Sequence, residues 1–296
     1  MTLLDEQYAY RGLTFGAATD YHVNRAEGFE GFEVRSSDSD QPRNDGALRG
    51  LDYVAPKTIS FELSMIEEDA DGSGYEDLWS QVRAAFQPSL ILDYPLTFKR
   101  AGQPERLINC RPIQLVRTEE FKRFNRLGFP PVVLRAVDPR IYSSEEHTGN
   151  VPVYAASSGG MDWSVANWPV DFTTGLQNEF VAINAGTANA YPLLRFYGPT
   201  VGTCTAVTLT NTTTGQTFVV STTITTGQIL TGDMTAAING TDALVVSLSG
   251  SSRYGSWSLP RSPFYLAPGS NTLRFQITGT STDMIANVTW RDTWLA

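Results

Sequence analysis

Apolar and polar residues alternate along several short stretches of the chain, which is the spacing of half-buried β-strands. The clearest is Lys57–Ile66, where every second residue is apolar. Its inward face comprises Ile59, Phe61, Leu63 and Met65. Further strands are predicted in the first half at Ser89–Leu92, Leu96–Lys99, Arg106–Val116 and Val132–Val137. Pro112 cannot donate a ladder hydrogen bond, so it predicts an edge strand or a bulge.

One segment of the first half has helical periodicity instead. Apolar residues recur between Tyr75 and Phe86 at spacings of three and four, which predicts an amphipathic helix. Ser73 and Glu76 match a capping box at its start, and Pro88 lies just past its end. The first half is therefore expected to be a β-sheet or barrel domain with one flanking helix.

The second half contains short β-branched and aromatic runs separated by turn residues, and no convincing helical period. The predicted strands are Leu193–Tyr197, Thr205–Thr210, Thr217–Ser221, Leu244–Leu248, Ser262–Leu266, Thr272–Thr278 and Asn287–Arg291. Turn residues such as Asn239-Gly240 and Pro268-Gly269 separate them. Regular short strands of this kind predict a β-sandwich of the jelly-roll type, so the fold class is mainly β.

Charge divides the 296-residue chain into two parts. Residues 1–149 contain 17 Lys/Arg and 24 Asp/Glu, whereas residues 150–296 contain only 5 and 7. With a polar, turn-forming segment at 143–149, this step predicts domains at 1–147 and 148–296. The net charge of −9 repels phosphate, which argues against a nucleic-acid-binding protein.

The remaining composition predicts no membrane segment and no disulfide. No apolar run approaches the roughly 20 residues needed to span a bilayer. The N-terminus carries acid early and has no basic leader followed by an apolar core, which argues against a secretory signal. Cys110 and Cys204 lie in different predicted domains and are expected to be small buried thiols.

Catalysis is not expected. The two histidines, His22 and His147, lie in polar, loop-like sequence and are interpreted as surface residues. The strand–Gly-x-Ser-x-Gly–helix elbow that presents a nucleophilic serine is missing. Carboxylate pairs for glycoside hydrolysis cannot be located from sequence, and the second half contains few acids. A sandwich hydrolase is therefore the weakest of the functional alternatives, and no cofactor is expected.

The segment Asp69–Asp77 resembles most of a calcium-binding loop. Oxygen ligands at Asp69, Asp71, Ser73 and Asp77 accompany a glycine at the sixth position, Gly74. The twelfth position, which should be a bidentate glutamate, is Ser80, and a predicted strand replaces the entering helix. An acidic turn that caps the following helix explains the same residues, so no metal site is predicted.

Aromatic residues in the second half suggest an alternative function, carbohydrate binding to host surface glycans. The candidates are Tyr254, Trp257, Tyr265, Trp290 and Trp294. Aromatic rings stack on sugars, but such residues more often fill a sandwich core or an assembly interface. Three Asn-x-Thr triplets, at Asn211, Asn239 and Asn287, match the glycosylation pattern, but without a secretory signal they are expected to be chance matches.

The order of several short motifs resembles the distal tail proteins of long-tailed, non-contractile phages. In the first half these are Tyr10–Gly16, Pro42–Gly46, Lys57-Thr58-Ile59, the helix from Tyr75 and Asp138-Pro139-Arg140. In the second half they are Asn184-Ala185-Gly186, Tyr191-Pro192-Leu193, Gly198, Leu266–Leu273 and Val288–Arg291. The resemblance spans nearly the whole chain, and the Thr-rich stretch Thr203–Asp233 departs from it.

This resemblance implies a structural virion protein that forms a hexameric hub at the distal tip of the tail. The N-terminal domain would be related to tail-tube folds, would form the ring, and would line a channel through which DNA leaves without being specifically bound. The C-terminal galectin-like sandwich would serve as an attachment domain. The implied partners are the tail tube protein, the tape-measure protein and tip or host-binding proteins, with no membrane. An acidic first half agrees with a channel that must not grip DNA.

Overall fold

The computed structural model divides the chain into two compact units, Met1–Glu145 with Trp294–Ala296, and Glu146–Thr293. The structure describes residues 2–41, 45–66, 73–89, 92–117, 119–121, 126–128, 130–153, 179–235, 245–281 and 283–295. Within these residues the secondary structure is almost entirely β, with one α-helix and one turn of 3₁₀ helix at Tyr254–Ser256. The predicted fold class, mainly β, is confirmed.

The first unit contains fourteen strands of the described chain, most of them in one large antiparallel sheet. They are β1 (Gln7–Tyr10), β2 (Leu13–Gly16), β3 (Tyr21–Glu27), β4 (Val34–Ser36), β5 (Ser39–Asp40), β6 (Ala47–Leu48), β7 (Asp52–Val54), β8 (Lys57–Ile66), β9 (Tyr94–Lys99), β10 (Arg106–Leu115), β11 (Glu119–Phe121), β12 (Arg126–Gly128), β13 (Pro131–Ala136) and β14 (Arg140–Ser143). The main sheet has the order β11-β12-β8-β13-β10-β9-β1-β2, with β3 on β8 and β14 on β10.

The alternating run Lys57–Ile66 forms β8 as predicted. Its four inward apolar side chains are at most 1% exposed. They join a core rich in aromatic rings, in which Phe61 makes edge contacts with Phe15 and Tyr8 at centroid distances of 5.1 Å. Burying apolar side chains of this size stabilises the fold by about 1.5–3 kcal/mol each, so β8 anchors the first unit.

Helix α1 (Ser73–Ala85) packs its apolar stripe against the same core. Tyr75 and Val82 are fully buried, and Phe86, just past the helix, is 1% exposed. The helical period at three- and four-residue spacing therefore predicted the correct face. The helix includes Ser73 as its first residue, so it begins one position earlier than a capping box at Ser73 would place it.

Pro112 lies at a bulge. The register between β10 and β13 shifts between Pro112 and Gln114. Strand β10 pairs with β9 from Arg106 to Cys110 and with β13 from Arg111 onward, so among the described strands Pro112 is paired on the β13 side alone. The predicted bulge is confirmed, and at Pro112 the ladder is one-sided, as it is at an edge.

The second unit is a sandwich of two antiparallel sheets. Its strands are β15 (His147–Pro152), β16 (Glu179–Asn184), β17 (Leu193–Tyr197), β18 (Cys204–Asn211), β19 (Gln216–Val220), β20 (Ile229–Asp233), β21 (Val245–Leu248), β22 (Ser251–Ser252), β23 (Gly269–Gly279) and β24 (Ile285–Trp290). One sheet has the order β15-β24-β17-β20-β21-β22 and the other β16-β23-β18-β19. Their inner faces share one buried core that includes Phe196, Phe218 and Phe275.

Most strand predictions for the second half are confirmed within two or three residues at each end. The prediction for Ser262–Leu266 is wrong, since this segment makes only an isolated bridge between Leu266 and Ala190. Phe264 and Leu266 are nevertheless buried, so their apolar character reflects the core and not a ladder. In the first half, Ser89–Leu92 contains two residues outside the described ones, and Ser89 and Leu92 are not in a strand.

The last strand, β25 (Thr293–Leu295), pairs with β14, and its final residues belong to the first unit. Trp294 packs against the first core, with the Arg106 guanidinium 4.3 Å from its ring centroid. The predicted domain at 148–296 places this strand in the second half, because three residues at a chain end carry no period that marks where they pair. The functional roles assigned to the two domains stay predictions.

Both cysteines are free and buried, as expected. Burial raises the pKa of each thiol. No helix in the described part of the chain is long and apolar enough to cross a bilayer.

Candidate interaction surfaces

A hairpin arm, described at residues 31–41 and 45–54, carries a group of exposed apolar side chains in the first unit. Strand β4 pairs with β7, and β5 pairs with β6, without joining the main sheet. The exposed side chains are Phe32 (63%), Val34 (45%), Leu48 (59%), Leu51 (69%) and Tyr53 (56%). Isolated two-stranded hairpins are marginally stable in water, and grouped exposed apolar side chains are typical of interaction sites. The arm is thus a candidate interaction surface.

The base of the arm is firmly attached to the first core. Phe29 is 2% exposed and its ring lies 4.8 Å from that of Phe98. The Lys57 ammonium donates to the Phe29 carbonyl at 3.0 Å, and its burial lowers the pKa of Lys57. The Ala55 amide donates to the Glu33 carbonyl at 2.7 Å. The exposed apolar residues therefore project from a base that is held against the first core.

Side chains within the arm also hold its two edges together. The Ser37 hydroxyl donates to the Leu51 carbonyl and accepts from the Leu51 amide, both at 3.0 Å. The Gly50 amide donates to the Asp38 carboxylate at 2.7 Å, and this bond is the largest cause of the lowered pKa of Asp38. These bonds define the shape of the arm without using its apolar side chains.

A second apolar surface of the first unit is a groove between α1 and β10, with a volume of about 410 Å³. Trp79, Phe86 and Pro112 contribute to its lining, and Ile113 is 54% exposed at the bulge. Ile113 faces outward in step with Asn109 and Arg111, whereas Ile108, Cys110 and Pro112 are buried. The lining residues include two arginines and no acid.

Arg117, one of these arginines, is held by contacts with α1. Its guanidinium donates to the Glu76 carboxylate at 2.6 Å and lies 5.6 Å from the ring centroids of Tyr75 and Trp79. An exposed ion pair of this kind contributes little to stability. Its effect here is to hold the Arg117 side chain against α1 at the rim of the groove.

The calcium prediction falls largely outside the described residues, since Asp69 and Asp71 are among those not described. Of the other proposed ligands, Ser73 begins α1 and Asp77 is exposed on it. Within the described residues no three His, Cys, Asp or Glu side chains lie close enough together to hold a metal ion.

The two histidines lie in strands, so the loop assignment is wrong for both. His22 is exposed on β3. His147, on β15, has its Nε2 3.2 Å from the Asp292 carboxylate and its ring 5.6 Å from that of Trp290. The other oxygen of Asp292 accepts from the Ala185 amide at 2.9 Å. The His147–Asp292 pair therefore ties strand β15 to the turn that follows β24.

Most of the aromatic residues suggested for sugar binding pack in one of the two cores instead. Trp257 and Trp290 are 2% and 7% exposed and belong to the sandwich core, and Trp294 packs in the first unit. Tyr254 is 38% exposed, with the Arg261 guanidinium 4.7 Å from its ring centroid. Sequence reasoning missed Tyr197, which is 41% exposed on the outer face of the six-stranded sheet.

Two buried asparagines explain part of the motif order that resembles distal tail proteins. Asn184 donates to the carbonyls of Ala188 and Leu266 and accepts from the amides of Gly186 and Thr293. Asn271 likewise donates to the Ala267 carbonyl at 2.7 Å and accepts from the Ala267 amide at 2.9 Å. Each side chain closes a turn by satisfying backbone groups that no strand could pair.

Comparison with known proteins points to phage tails. Residues 185–294 match the family model for the siphovirus-type tail component, C-terminal domain. No curated protein sequence matches the chain.

Solved structures extend the likeness to the whole chain. The crystal structure of the phage SPP1 Dit protein (gp 19.1), described as a paradigm of the hub adsorption apparatus in phages infecting Gram-positive hosts, is 12% identical, with a TM-score of 0.62. The alignment covers 97% of this chain and 98% of that one.

Two structures of the phage P2 baseplate in its activated conformation, with Ca and with Sr, are each 8% identical, with TM-scores of 0.48 and 0.47. Each alignment covers 96% of this chain and 97% of that one. The resemblance to distal tail proteins is confirmed: the chain has the fold of the SPP1 Dit hub protein, and residues 185–294 match the model of the siphovirus-type tail component, C-terminal domain.

Proposed function

We propose that this chain is a structural hub of a siphovirus-type phage tail, located in the virion at the distal tip. Copies of the first unit form a closed hexameric ring that continues the tail tube and surrounds the channel for DNA exit. The second unit attaches tip or host-recognition proteins. The observation that carries this proposal is the pair of different apolar surfaces on the first unit, the hairpin arm and the α1–β10 groove.

A ring of identical subunits needs a heterologous interface, in which one surface of each copy meets a different surface of the next. The arm supplies a projecting apolar surface, and the groove supplies a recessed one. Their charges are complementary, since residues 31–54 contain five Asp/Glu against three Arg, whereas the groove lining contains Arg83 in addition to Arg117, which is paired with Glu76. Opposite potentials of this kind fix the register of an interface and speed its formation. The proposed contact places the arm of one copy on the groove of its neighbour.

The charge of the first half also suits a DNA channel. Residues 1–149 have a net charge of −7, which disfavours a lasting contact with phosphate. We expect no retention of double-stranded DNA in a band-shift assay at low salt, where non-specific binding is strongest. Retention at micromolar protein would contradict the proposed conduit.

The interface can be tested with exposed substitutions that leave the fold intact. Phe32→Ser combined with Leu51→Ser should abolish the oligomer in light scattering coupled to size exclusion, and Ile113→Ser should weaken it. Val201→Ser is the matched control, because Val201 is 76% exposed in the second unit. Unchanged circular dichroism and melting temperature would show that the variants fold.

Cross-linking tests which surfaces meet. A Leu51→Cys protein mixed with an Ile113→Cys protein should form a disulfide-linked dimer under mild oxidation, whereas neither variant alone should do so. The native thiols are buried and should not interfere. Self-linking of Leu51→Cys would indicate a symmetric arm-to-arm contact and contradict the heterologous interface.

The attachment role predicts binding to other tail proteins. The full-length chain should form a complex with the purified tail tube protein, tape-measure protein or a tip protein of the same phage. The arm variant should lose ring-dependent binding to the tube protein while keeping attachment through the second unit. Loss of tip-protein binding in the arm variant, with wild-type binding in Val201→Ser, would contradict the division of roles.

A further inference from the structure

The outer face of the six-stranded sheet carries a row of polar side chains that crosses all six strands. The register places Asn150 on β15 opposite Asn287 on β24, and Asn287 opposite Arg195 on β17. Arg195 in turn lies opposite Thr231 on β20, and the row continues through Ser247 on β21 to Ser252 on β22. Directly paired residues project from the same face of a sheet, so the six side chains form one line about 24 Å long.

A second row on the same face is apolar and aromatic. It consists of Pro152, Ile285, Tyr197 and Ile229, paired in that order across four strands. All four are exposed, Tyr197 at 41% and Ile285 at 43%. The two rows are separated by one inward-facing residue on each strand, so they run side by side. An apolar strip with one aromatic ring thus borders a strip of amides, hydroxyls and one guanidinium.

Part of the polar row is held in place before any ligand binds. The Asn287 amide donates to Asn150 Oδ1 at 2.9 Å, and the Thr289 hydroxyl donates to Asn287 Oδ1 at 3.2 Å. The asparagine amides keep further N–H groups available, since each carries two donors. Preorganised groups bind with a smaller entropic cost than mobile ones.

Arg195 is exposed and makes no ion pair or side-chain hydrogen bond with the residues that the structure describes. Residues 150–296 contain only five Lys/Arg in all, so a solvent-facing arginine in the middle of this row is a distinctive feature. Asp233, the acid in the next row, accepts bonds from the Thr235 amide and hydroxyl at 2.8 and 2.6 Å. The positive charge of Arg195 is therefore open to a ligand.

We propose that this face binds an acidic polysaccharide, with Arg195 contacting its anionic group, the flanking amides and hydroxyls contacting sugar hydroxyls, and Tyr197 stacking on a sugar ring. Sugar hydroxyls both donate and accept, as do the amides and hydroxyls of the row. A guanidinium forms charge-assisted pairs with phosphate or carboxylate. The length of the row suits an extended chain of linked sugars better than a single one.

Three soluble polysaccharides separate the sources of the anionic group in an affinity titration with the full-length protein. Phosphomannan supplies phosphate, hyaluronan supplies carboxylate, and dextran is neutral. We expect phosphomannan or hyaluronan to bind at least tenfold more tightly than dextran, with affinity that falls as salt is raised. No binding to any of the three would overturn the proposal.

Variants locate the site. Arg195→Gln and Tyr197→Ala should each weaken binding at least tenfold, and Arg195→Lys should retain part of the affinity because it keeps the charge but not the fork of donors. Arg274→Gln is the matched control, since it removes the same charge from the other sheet, where Arg274 pairs with Glu179 at 2.5 Å. Equal affinity in Arg195→Gln and wild type would contradict the assignment.

A protein partner on this face is the competing outcome. If Arg195→Gln and Tyr197→Ala abolish binding to a purified tail-tip protein and leave polysaccharide binding unchanged, the saccharide proposal is wrong. Ring formation by the first unit should be unaffected by all of these variants. Failure of the saccharide proposal would therefore leave the proposed hub intact, and loss of the ring in the arm variants would leave the saccharide site intact.

Discussion

Asn184→Ala should strongly destabilise the second unit, because one buried amide satisfies four backbone positions. Asn184 is fully buried. Its Nδ2 donates to the Ala188 carbonyl at 2.8 Å and to the Leu266 carbonyl at 3.2 Å. Its Oδ1 accepts from the amides of Gly186 at 3.1 Å and Thr293 at 3.2 Å.

The expected magnitude follows from which groups lose their partner. The Leu266 carbonyl also accepts from the Ala190 amide at 2.9 Å and stays paired. Three groups remain without the bond that Asn184 provided: the Gly186 amide, the Thr293 amide and the Ala188 carbonyl. Each buried unsatisfied group costs about 1–3 kcal/mol, and water entering the vacated space recovers part of this. The free energy of unfolding should therefore fall by about 3–6 kcal/mol.

Thermal unfolding followed by circular dichroism and tryptophan fluorescence measures this loss. In a domain of this size, 1 kcal/mol shifts the melting temperature by about 2–4 °C, so the variant should melt roughly 6–24 °C lower. Trp257 and Trp290 lie in the affected core and report on it. Gln276→Ala, an exposed change on β23, is the control and should stay within about 0.5 kcal/mol of wild type. A shift for Asn184→Ala as small as that of the control would refute the reasoning.

Three further predictions concern the backbone and titratable groups. Gly28→Ala should cost more than about 3 kcal/mol, because Gly28 has φ +89° and an added Cβ would lie 2.0 Å from the Thr58 carbonyl oxygen. Gly31→Ala, at φ +80° with open space, should cost only about 1–2 kcal/mol in urea unfolding, and equal costs would contradict the steric argument. Burial raises the pKa of Asp138, so wild type should gain stability relative to Asp138→Asn as pH falls from 7 toward 4. Hydrogen bonds from the Thr200 and Ser281 hydroxyls lower the pKa of Asp283 to about 2. The stability of wild type relative to Asp283→Asn should therefore be lost between pH 4 and 2. If stability changed with pH in the same direction for the Asp138 and Asp283 comparisons, this reasoning would be ruled out.

The strands and the helix were predictable where one face is buried. In β8 the period of two matches the burial except at Ser64, which is polar and 7% exposed, and in α1 the apolar spacing matches the buried face. Prediction failed where a segment is buried but is not paired in a sheet. Phe264 and Leu266 are buried without belonging to a strand, so an apolar run there mimics a ladder.

The interaction surfaces were less predictable, because they depend on register and on what lies opposite. No local pattern distinguishes Tyr197 from the buried Phe196 beside it as the exposed aromatic. Likewise, Asn150, Asn287 and Arg195 are far apart in sequence and become neighbours only through strand pairing. The arm could not be predicted for a different reason. Phe32, Leu51 and Tyr53 lie within a polar, turn-rich segment whose composition is typical of an ordinary loop.

The most direct test of the hub is electron microscopy of the purified full-length protein, alone and with the tail tube protein. The account predicts closed rings of six copies with an open central channel, present in wild type and in Val201→Ser and missing in the Phe32→Ser, Leu51→Ser variant. A protein that stays monomeric at high concentration and also fails to form rings on the tail tube would contradict the account.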